Sequence, residues 1–182
     1  LERFAHVEHD LVGRDMPIVR LNHAVLYVRD LQRSLDFYVG VLGFSRIEEM
    51  TPAGFSGAAF LRAPGSTNDH DLGLFALGDR LRSSDAGQTT VGLYHLAWEV
   101  DTLDELERLA AGLSEAGALV GASDHGTTKS LYAHDPDGLE FEVAWIIPAD
   151  LLTHDAKDAR TRIGPLDLTA TKARYGATTR GG

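Results

Sequence analysis

An internal repeat constrains the fold more than any other feature of this sequence. The segment RLNHAVLYVRDLQRSLDFYVGVLGF, residues 20–44, follows the same plan as GLYHLAWEVDTLDELERLAAGLSEAG, residues 92–117. Each segment has a histidine at the start of a strand-like alternation, followed by the apolar spacing of an amphipathic helix. With an offset of 72 residues, His23 aligns with His95. The chain therefore contains two copies of one structural unit.

Capping residues mark where both predicted helices begin and end. Asp30 stands at the first N-cap, and Gly43 follows the last apolar position of that helix. In the second copy, Thr102 and Glu105 form a capping box and Gly117 ends the helix. The limits of both helices are therefore predicted from local signals alone.

Three further strand-like runs follow each helix, so each copy predicts the order β-α-β-β-β. These runs are residues 44–50, 56–63 and 71–77 in the first copy and 118–123, 129–134 and 139–146 in the second. The predicted organisation is an N-terminal extension (1–18), a first module (19–77), a linker (78–91), a second module (92–147) and a C-terminal tail (148–182). We expect an α+β fold in which two four-stranded sheets form a cup, with His23 and His95 facing its interior.

Composition excludes several classes of site and partner. The 182 residues include no cysteine, which rules out disulfides, thiolate ligands and cysteine nucleophiles and suits a reducing cytoplasm. The formal charge of −10 argues against a nucleic-acid partner, because such binding depends on clustered Lys and Arg. No apolar run is long enough to predict a membrane span. The basic tail is expected to pack on the body of the chain or on a second subunit.

The last predicted strand adds acidic side chains to the cup. Glu140 and Glu142 alternate with apolar residues, so the glutamates face the cup if the apolar residues face the helices. Two imidazoles and one carboxylate form a three-ligand site with open positions, as in non-haem Fe(II) oxygenases. The residues alone fit equally well a second interpretation, in which His23 and His95 are hydrogen-bonded residues of the core.

The doubled β-α-β-β-β plan resembles the vicinal oxygen chelate superfamily. This superfamily includes glyoxalase I, fosfomycin-resistance enzymes, bleomycin-binding proteins and extradiol ring-cleaving dioxygenases. The resemblance covers about residues 19–147. It implies that His23, His95 and Glu142 are metal ligands, because the family's glutamate lies four residues after the turn glycine, here Gly138.

The stretch SDHGTTKSLYAHDPDGLEFEV, residues 123–143, resembles the extradiol dioxygenase signature in particular. It contains in order a histidine, an apolar residue followed by tyrosine, the turn Asp-Pro-Asp-Gly and a glutamate. The resemblance implies that His125 and Tyr132 hydrogen-bond the substrate oxygens, and that His70 passes a proton beside the oxygen site. Ser123 departs mildly from the residues usual at its position.

Among the members of this superfamily, the absence of one carboxylate favours the dioxygenases. Glyoxalase I supplies a fourth ligand near the position of Gly73, where this chain has none. We therefore expect an extradiol dioxygenase that uses Fe(II), with Mn(II) as the alternative ion, and cleaves a catechol-type substrate with O2 as a homo-oligomer. The alternatives are a glyoxalase-like lyase or isomerase and a metal-free drug-binding protein. The histidines without a place in this pattern are His6, His9, His134 and His154, of which His134 shares a strand face with Tyr132.

Overall fold

Both copies fold as strand, helix and three strands. The structure is a computed structural model that describes residues 18–182, so His6, His9 and nearly all of the predicted extension lie outside the described residues. The first copy contains β1 (Ala24–Val28), α1 (Leu31–Gly40), β2 (Ser45–Met50), β3 (Gly57–Arg62) and β4 (Leu72–Ala76). The second contains β5 (Leu96–Glu99), α2 (Leu103–Glu115), β6 (Leu119–Asp124), β7 (Thr128–His134) and β8 (Glu140–Ile146).

The helices begin where their caps predict. The Asp30 carboxylate accepts a hydrogen bond from the backbone N–H of Arg33 at 3.0 Å. The Thr102 hydroxyl accepts one from the backbone N–H of Glu105 at 3.2 Å. Each bond satisfies a donor that the first turn of a helix leaves without an internal partner.

Each copy forms its own sheet with the same strand pairing. The first sheet has the order β1-β4-β3-β2, and the second has β5-β8-β7-β6 followed by β9 (Gly164–Pro165) from the tail. The first strand of each copy runs parallel to the last, with Val25 opposite Gly73 and Ala97 opposite Glu142. The two copies therefore share their strand pairing as well as their sequence pattern.

A single hydrophobic core joins the two sheets. Helix α1 packs against β3 and β4 of the first sheet and reaches the second through Phe37, whose ring lies 5.8 Å from that of Phe141 on β8. Phe44, which follows α1, lies 5.1 Å from Trp98 on β5. The two copies therefore share their buried apolar faces, and burial of these faces is the main source of their mutual stability.

The turn between β7 and β8 ties the second copy to the first. The buried Asp135 accepts a hydrogen bond from the hydroxyl of Tyr38 on α1 at 3.1 Å. Asp137 accepts another from the backbone N–H of Arg29 at 3.0 Å. Burial, followed by the nearby Asp135, raises the pKa of Tyr38 well above its usual value, so its hydroxyl stays protonated and donates. The turn thus does more than join two strands.

The C-terminal tail packs on the second copy of the same chain. It contains α3 (His154–Asp158), β9 and α4 (Leu168–Tyr175), and β9 extends the sheet beyond β6. The Lys172 ammonium on α4 lies 2.7 Å from carboxylate oxygens of Asp104 and Glu107 on α2. The indole N–H of Trp145 donates to the carbonyl of Thr179 at 3.1 Å. Within residues 18–182, no helix has the length and apolar character that a membrane crossing requires.

Replacing Tyr38 with Phe tests the tie between the copies. Removal of the hydroxyl leaves one oxygen of a buried carboxylate without its donor, and we expect the free energy of unfolding to fall by about 1–3 kcal/mol. Urea denaturation measures the difference. Tyr27→Phe is the matched control, because the ring of Tyr27 is 59% exposed and we expect a change within about 0.5 kcal/mol. Equal stability of the two variants would contradict the proposed role of Tyr38.

Candidate active site

Strand alternation gives each sheet a buried face and an outward face. On β1, Leu26 and Val28 lie in the core, whereas Val25 and Tyr27 are half-exposed on the other side. His23 immediately precedes β1, because the strand begins at Ala24, one residue after the histidine at the start of the predicted alternation. His95 precedes β5 in the same way. Both histidines therefore lie at equivalent strand starts.

The glutamates of β8 lie on the outward face of the second sheet. Phe141 and Val143 are buried in the core, and the alternating Glu140 and Glu142 are half-buried on the opposite side. The alternation predicted from the sequence is confirmed. The outward face of the second sheet consequently carries two carboxylates. Among the described residues, neither forms an ion pair with a Lys or Arg side chain.

His95 lies between these two carboxylates. Its Nε2 is 3.2 Å from an oxygen of Glu142, and its Nδ1 is 3.8 Å from an oxygen of Glu140. The second distance is too long for a hydrogen bond, and Nδ1 of His95 is buried without a hydrogen-bond partner among the described residues. His134 is 3.8 Å from Glu140 and extends the same cluster. Glu142 is thus the closer carboxylate to His95.

His125 and Tyr132 adjoin this cluster. Nε2 of His125 lies 2.8 Å from the hydroxyl of Tyr132, and Tyr132 pairs with Glu142 across β7 and β8. Partial burial, and then the charge of Glu142, raises the pKa of Tyr132 above its usual value. The hydroxyl of Tyr132 is therefore protonated at neutral pH and can donate to an anionic oxygen.

Sequence reasoning did not identify Tyr94 in this cluster. Its ring centroid lies 4.7 Å from that of His95, and the Glu140 carboxylate raises the pKa of its hydroxyl. Tyr94 is 57% exposed. Alternation along β5 could not locate it, because it lies before the strand begins.

His23 and His70 form a separate pair on the outward side of the first sheet. Their ring centroids are 4.6 Å apart. Nδ1 of His23 lies 2.6 Å from the side-chain oxygen of Asn22, and Nδ1 of His70 lies 2.9 Å from Asp69. Each pairing occupies Nδ1, so the opposite ring nitrogen, Nε2, is the one left for a ligand or a proton. The structure brings together the predicted ligand His23 and the predicted acid–base residue His70.

Asp71 organises the loop that carries His70. Its carboxylate accepts hydrogen bonds from the backbone N–H of Ala63 at 2.8 Å and from the side chains of Ser66 and Asn68, each at 2.7 Å. Burial alone would raise the pKa of Asp71, but the bonds from Ser66, Ala63 and Asn68 together hold it below its usual value. The loop is therefore fixed by a charged acceptor directly next to His70.

A row of six rings covers the outward side of the first sheet. Consecutive ring centroids in this row are 4.6 to 6.4 Å apart. The row consists of Tyr27, Phe55, Phe75, Phe60, His70 and His23. We call it the aromatic row. Alternation predicts some of its members, but Phe55 comes from the turn before β3 and has no signal of its own.

Gly73 occupies the position in the first sheet that Glu142 occupies in the second. Gly73 lies opposite Val25, and Glu142 lies opposite Ala97, which is the repeat equivalent of Val25. A Cβ atom at Gly73 would lie 3.4–3.5 Å from side-chain atoms of Phe75, Val25 and Phe60, in van der Waals contact with them. The first sheet therefore has rings where the second has a carboxylate.

The predicted metal ligands do not all meet within one chain. Among residues 18–182, no group of three or more His, Cys, Asp or Glu side chains is placed to hold a metal ion. The donor types match Fe(II) or Mn(II) chemistry, but His95 and Glu142 lie on one sheet and His23 lies with His70 on the other. The set of His23, His95 and Glu142 stays a prediction.

Comparison with known proteins identifies the family. Residues 20–143 match the Glyoxalase/Bleomycin resistance protein/Dioxygenase superfamily, and the chain belongs to it. The chain is similar to a catechol-2,3-dioxygenase of Bacillus subtilis, with 32% identity over 68% of this chain and 40% of that protein. It is also similar to a lactoylglutathione lyase of Neisseria meningitidis, with 34% identity over 68% of this chain and 88% of that protein.

Solved structures agree on the fold. The glyoxylase/bleomycin resistance protein/dioxygenase domain from Frankia sp. EAN1pec superposes with a TM-score of 0.62 at 22% identity, covering 77% of this chain and 98% of that one. The two βαβββ units thus form the vicinal oxygen chelate fold that the repeat predicts.

Replacing Asp71 with Ala tests the loop beside His70. Three donors lose a charged acceptor, so we expect the free energy of unfolding at pH 7 to fall by about 2–3 kcal/mol. The lowered pKa means that Asp71 stabilises the fold above about pH 4 and that this contribution is lost as pH falls through its folded-state pKa. Denaturation at pH 7 and pH 3 should therefore show a smaller difference between wild type and variant at pH 3.

Asp69→Ala provides the control for this measurement, because the Asp69 side chain is 90% exposed. We expect its stability to stay within about 0.5 kcal/mol of wild type. A variant at Asp71 that is as stable as the one at Asp69 would show that the loop does not depend on the buried carboxylate.

Proposed function

We propose that this protein is a metal-dependent extradiol dioxygenase that cleaves the ring of a catechol-type substrate with O2. His23, His95 and Glu142 are the proposed ligands of Fe(II), with Mn(II) as the alternative ion. The observation that carries the proposal is the hydrogen bond of 2.8 Å between His125 and Tyr132, beside the pair of His95 and Glu142. The similarity to a catechol-2,3-dioxygenase supports the same reaction class.

The residues around the proposed metal suit a catechol. When bound, the metal ion lowers the pKa of a coordinated hydroxyl and provides the redox centre for O2. Protonated Tyr132 and its partner His125 donate hydrogen bonds to the negative charge on the substrate oxygens. His70 transfers a proton through its free Nε2. Aromatic side chains of the first sheet offer a flat apolar surface to the ring.

Glu140 has a positioning role in this proposal. A histidine that binds a metal through one ring nitrogen usually donates the other N–H to a carboxylate. Glu140 is the carboxylate nearest to Nδ1 of His95, which has no hydrogen-bond partner among the described residues. A small movement of either side chain would form that bond, and it would direct Nε2 of His95 towards the metal.

The first test is metal content. Each of His23→Ala, His95→Ala and Glu142→Ala removes one of three ligands, and we expect each to lose most of the bound iron. Glu140→Ala is the comparison and should keep most of its iron when loaded with excess Fe(II), because Glu140 orients a ligand without being one and its loss weakens the affinity only about 10–100-fold. Elemental analysis of protein loaded with Fe(II) under anaerobic conditions measures iron per chain. Loss of iron in Glu140→Ala with retention in Glu142→Ala would assign the ligand to the other glutamate.

The second test is turnover of catechols. Anaerobically loaded protein is screened against catechols for the coloured ring-fission product. On the best substrate, we expect His70→Phe and Tyr132→Phe to keep their iron but to lose roughly ten- to ten-thousand-fold in turnover, the range for losing acid–base assistance. His154→Phe and Tyr175→Phe, both in the tail, are the controls and should keep wild-type turnover. Full activity of the first two variants would remove both residues from the mechanism.

A glyoxalase-like lyase is the second candidate. The similarity to a lactoylglutathione lyase extends over 88% of that protein, whereas the similarity to the catechol-2,3-dioxygenase covers less than half of the latter. The hemithioacetal of glutathione and an α-ketoaldehyde is therefore assayed beside the catechols. Its turnover without any ring-fission product would favour the lyase. Protein that binds neither metal nor these substrates would favour a metal-free drug-binding role.

A further inference from the structure

A buried lysine lies beneath the turn that carries His125. The side chain of Lys129, on β7, is 4% exposed, and the residues that alternate with it, Leu131 and Ala133, lie in the core. Tyr132 belongs to the other set of β7 and therefore lies on the outward face of the sheet. Lys129 thus approaches the turn between β6 and β7 from the core side, whereas the hydroxyl of Tyr132 meets His125 on the outward side.

The ammonium of Lys129 binds the residues on both sides of His125. It contacts the carboxylate of Asp124 and donates a hydrogen bond to the backbone carbonyl of Gly126 at 3.1 Å. The same oxygen of Asp124 accepts a hydrogen bond from the backbone N–H of Gly126 at 2.8 Å. We call Asp124, Gly126 and Lys129 the turn clamp. Because a buried ammonium is unfavourable unless its charge and its donors are paired, the turn clamp holds both neighbours of His125 in place.

The C-terminal tail encloses the turn clamp. Gly126 has a φ of +77° and lies against α3, where a Cβ atom would overlap the backbone oxygen of Ala156. Asp124 pairs with β9, and the ring of Tyr175 on α4 lies 5.9 Å from the ammonium of Lys129. All three of these tail elements follow residue 143, where the family match ends. Exclusion of water from the ammonium strengthens its contacts with the turn.

We propose that Lys129 is a positioning residue for His125. It lies on the core side of the sheet, apart from the proposed metal ligands, and acts through the backbone of the turn. By fixing the residues before and after His125, it keeps Nε2 of that imidazole at 2.8 Å from the hydroxyl of Tyr132. Donors that are already in place before the reaction contribute strongly to its rate. The inference rests on the proposed function, because it requires that His125 and Tyr132 act on the substrate.

Turnover in two backgrounds tests whether Lys129 acts through His125. Lys129→Met keeps the apolar stem of the side chain and removes its charge. We expect about ten- to a hundred-fold lower kcat on the best catechol, with unchanged iron content, because a displacement of about 1 Å has effects of this size. In a His125→Ala background, the same substitution should cause no further loss. An equal loss in both backgrounds, or no loss in the wild-type background, would overturn the proposal.

Two substitutions of Asp124 test the turn clamp without changing the lysine, and they decide the question if Lys129→Met does not fold. Asp124→Asn keeps an oxygen that accepts from Gly126 and Lys129, whereas Asp124→Ala removes it. We therefore expect the Asn variant to retain most of the kcat that the Ala variant loses. Equal kcat of the two folded variants would contradict a role for the turn clamp.

Lys172→Met is the matched lysine control, because it removes the ion pairs between the tail and α2 but no contact with the turn. It should keep wild-type kcat, and circular dichroism verifies that each variant is folded. A loss in Lys172→Met as large as that in Lys129→Met would show that the packing of the tail in general, and not the turn clamp, sets the rate.

Nuclear magnetic resonance of the metal-free protein provides a measurement that does not depend on activity. The ring-proton signals of His125 are those that disappear in His125→Ala. Tyr132→Phe removes the hydrogen bond to this ring and shifts the signals. We expect Lys129→Met to shift them in the same direction, with no further shift when the two substitutions are combined. Signals of His125 that keep their wild-type positions in Lys129→Met would overturn the proposal.

The two measurements separate failure of the inference from failure of the proposed function. A wild-type protein that cleaves no catechol refutes the proposed function, and the ring signals of His125 then decide the positioning alone. Catechol cleavage that depends on His125, with wild-type kcat and wild-type ring signals in Lys129→Met, refutes the positioning and leaves the proposed function intact.

Discussion

Burial of one face of β8 determines most of what this molecule can do. Helix α2 packs against β6, β7 and β8, and Phe37 of α1 reaches the ring of Phe141 on the same face. Because side chains alternate along a strand, burial of Phe141 and Val143 sends Glu142 outward. These apolar contacts thus fix the direction of the acidic side chains. The same core gives β1 its orientation and sends Val25 and Tyr27 to the other side.

Polar contacts hold this arrangement in register. The bond from Tyr38 to Asp135 spans 97 positions of sequence and anchors the turn that leads into β8. Asp135 also accepts backbone hydrogen bonds from Asp137 and Leu139, so one buried carboxylate both shapes the turn and joins the copies. Glu142 lies a few residues beyond this anchor. The position of a candidate ligand is therefore coupled to a buried bond with the first copy.

Local signals in the sequence predict the elements but not the relation between the sheets. The caps at Asp30 and Thr102 mark the starts of α1 and α2, and the constant offset aligns Val25 with Ala97. Their partners Gly73 and Glu142 do not follow that offset, so only the strand pairing shows that these two positions are equivalent. Alternation predicts which residues share a face of the sheet, as for Glu140 and Glu142, because the direction of a side chain depends only on the backbone of its own strand. Which partner covers a face depends on contacts between distant segments, and no local pattern encodes these.

The same limit applies to the residues around the site. His125 lies in the turn between β6 and β7, and Tyr132 lies in β7; the family signature identifies both residues, but the bond between them depends on how the turn folds back. Phe55 joins the aromatic row from a turn, and the tail adds β9 to the second sheet, without a periodic signal in either case. The predicted ligand set names donor types, so the sequence predicts its chemistry but not the distances between its members.

Gly73 shows how differently the two sheets are built at equivalent positions. Its nearest side chains are Phe75, Val25 and Phe60, whereas the equivalent Glu142 lies 3.2 Å from His95. Substitution of the phenylalanines around Gly73 would alter the shape offered to a guest molecule while leaving the contact between His95 and Glu142 in place. The shape of the apolar wall and the charge of the acidic cluster are therefore held by different sheets of the same chain.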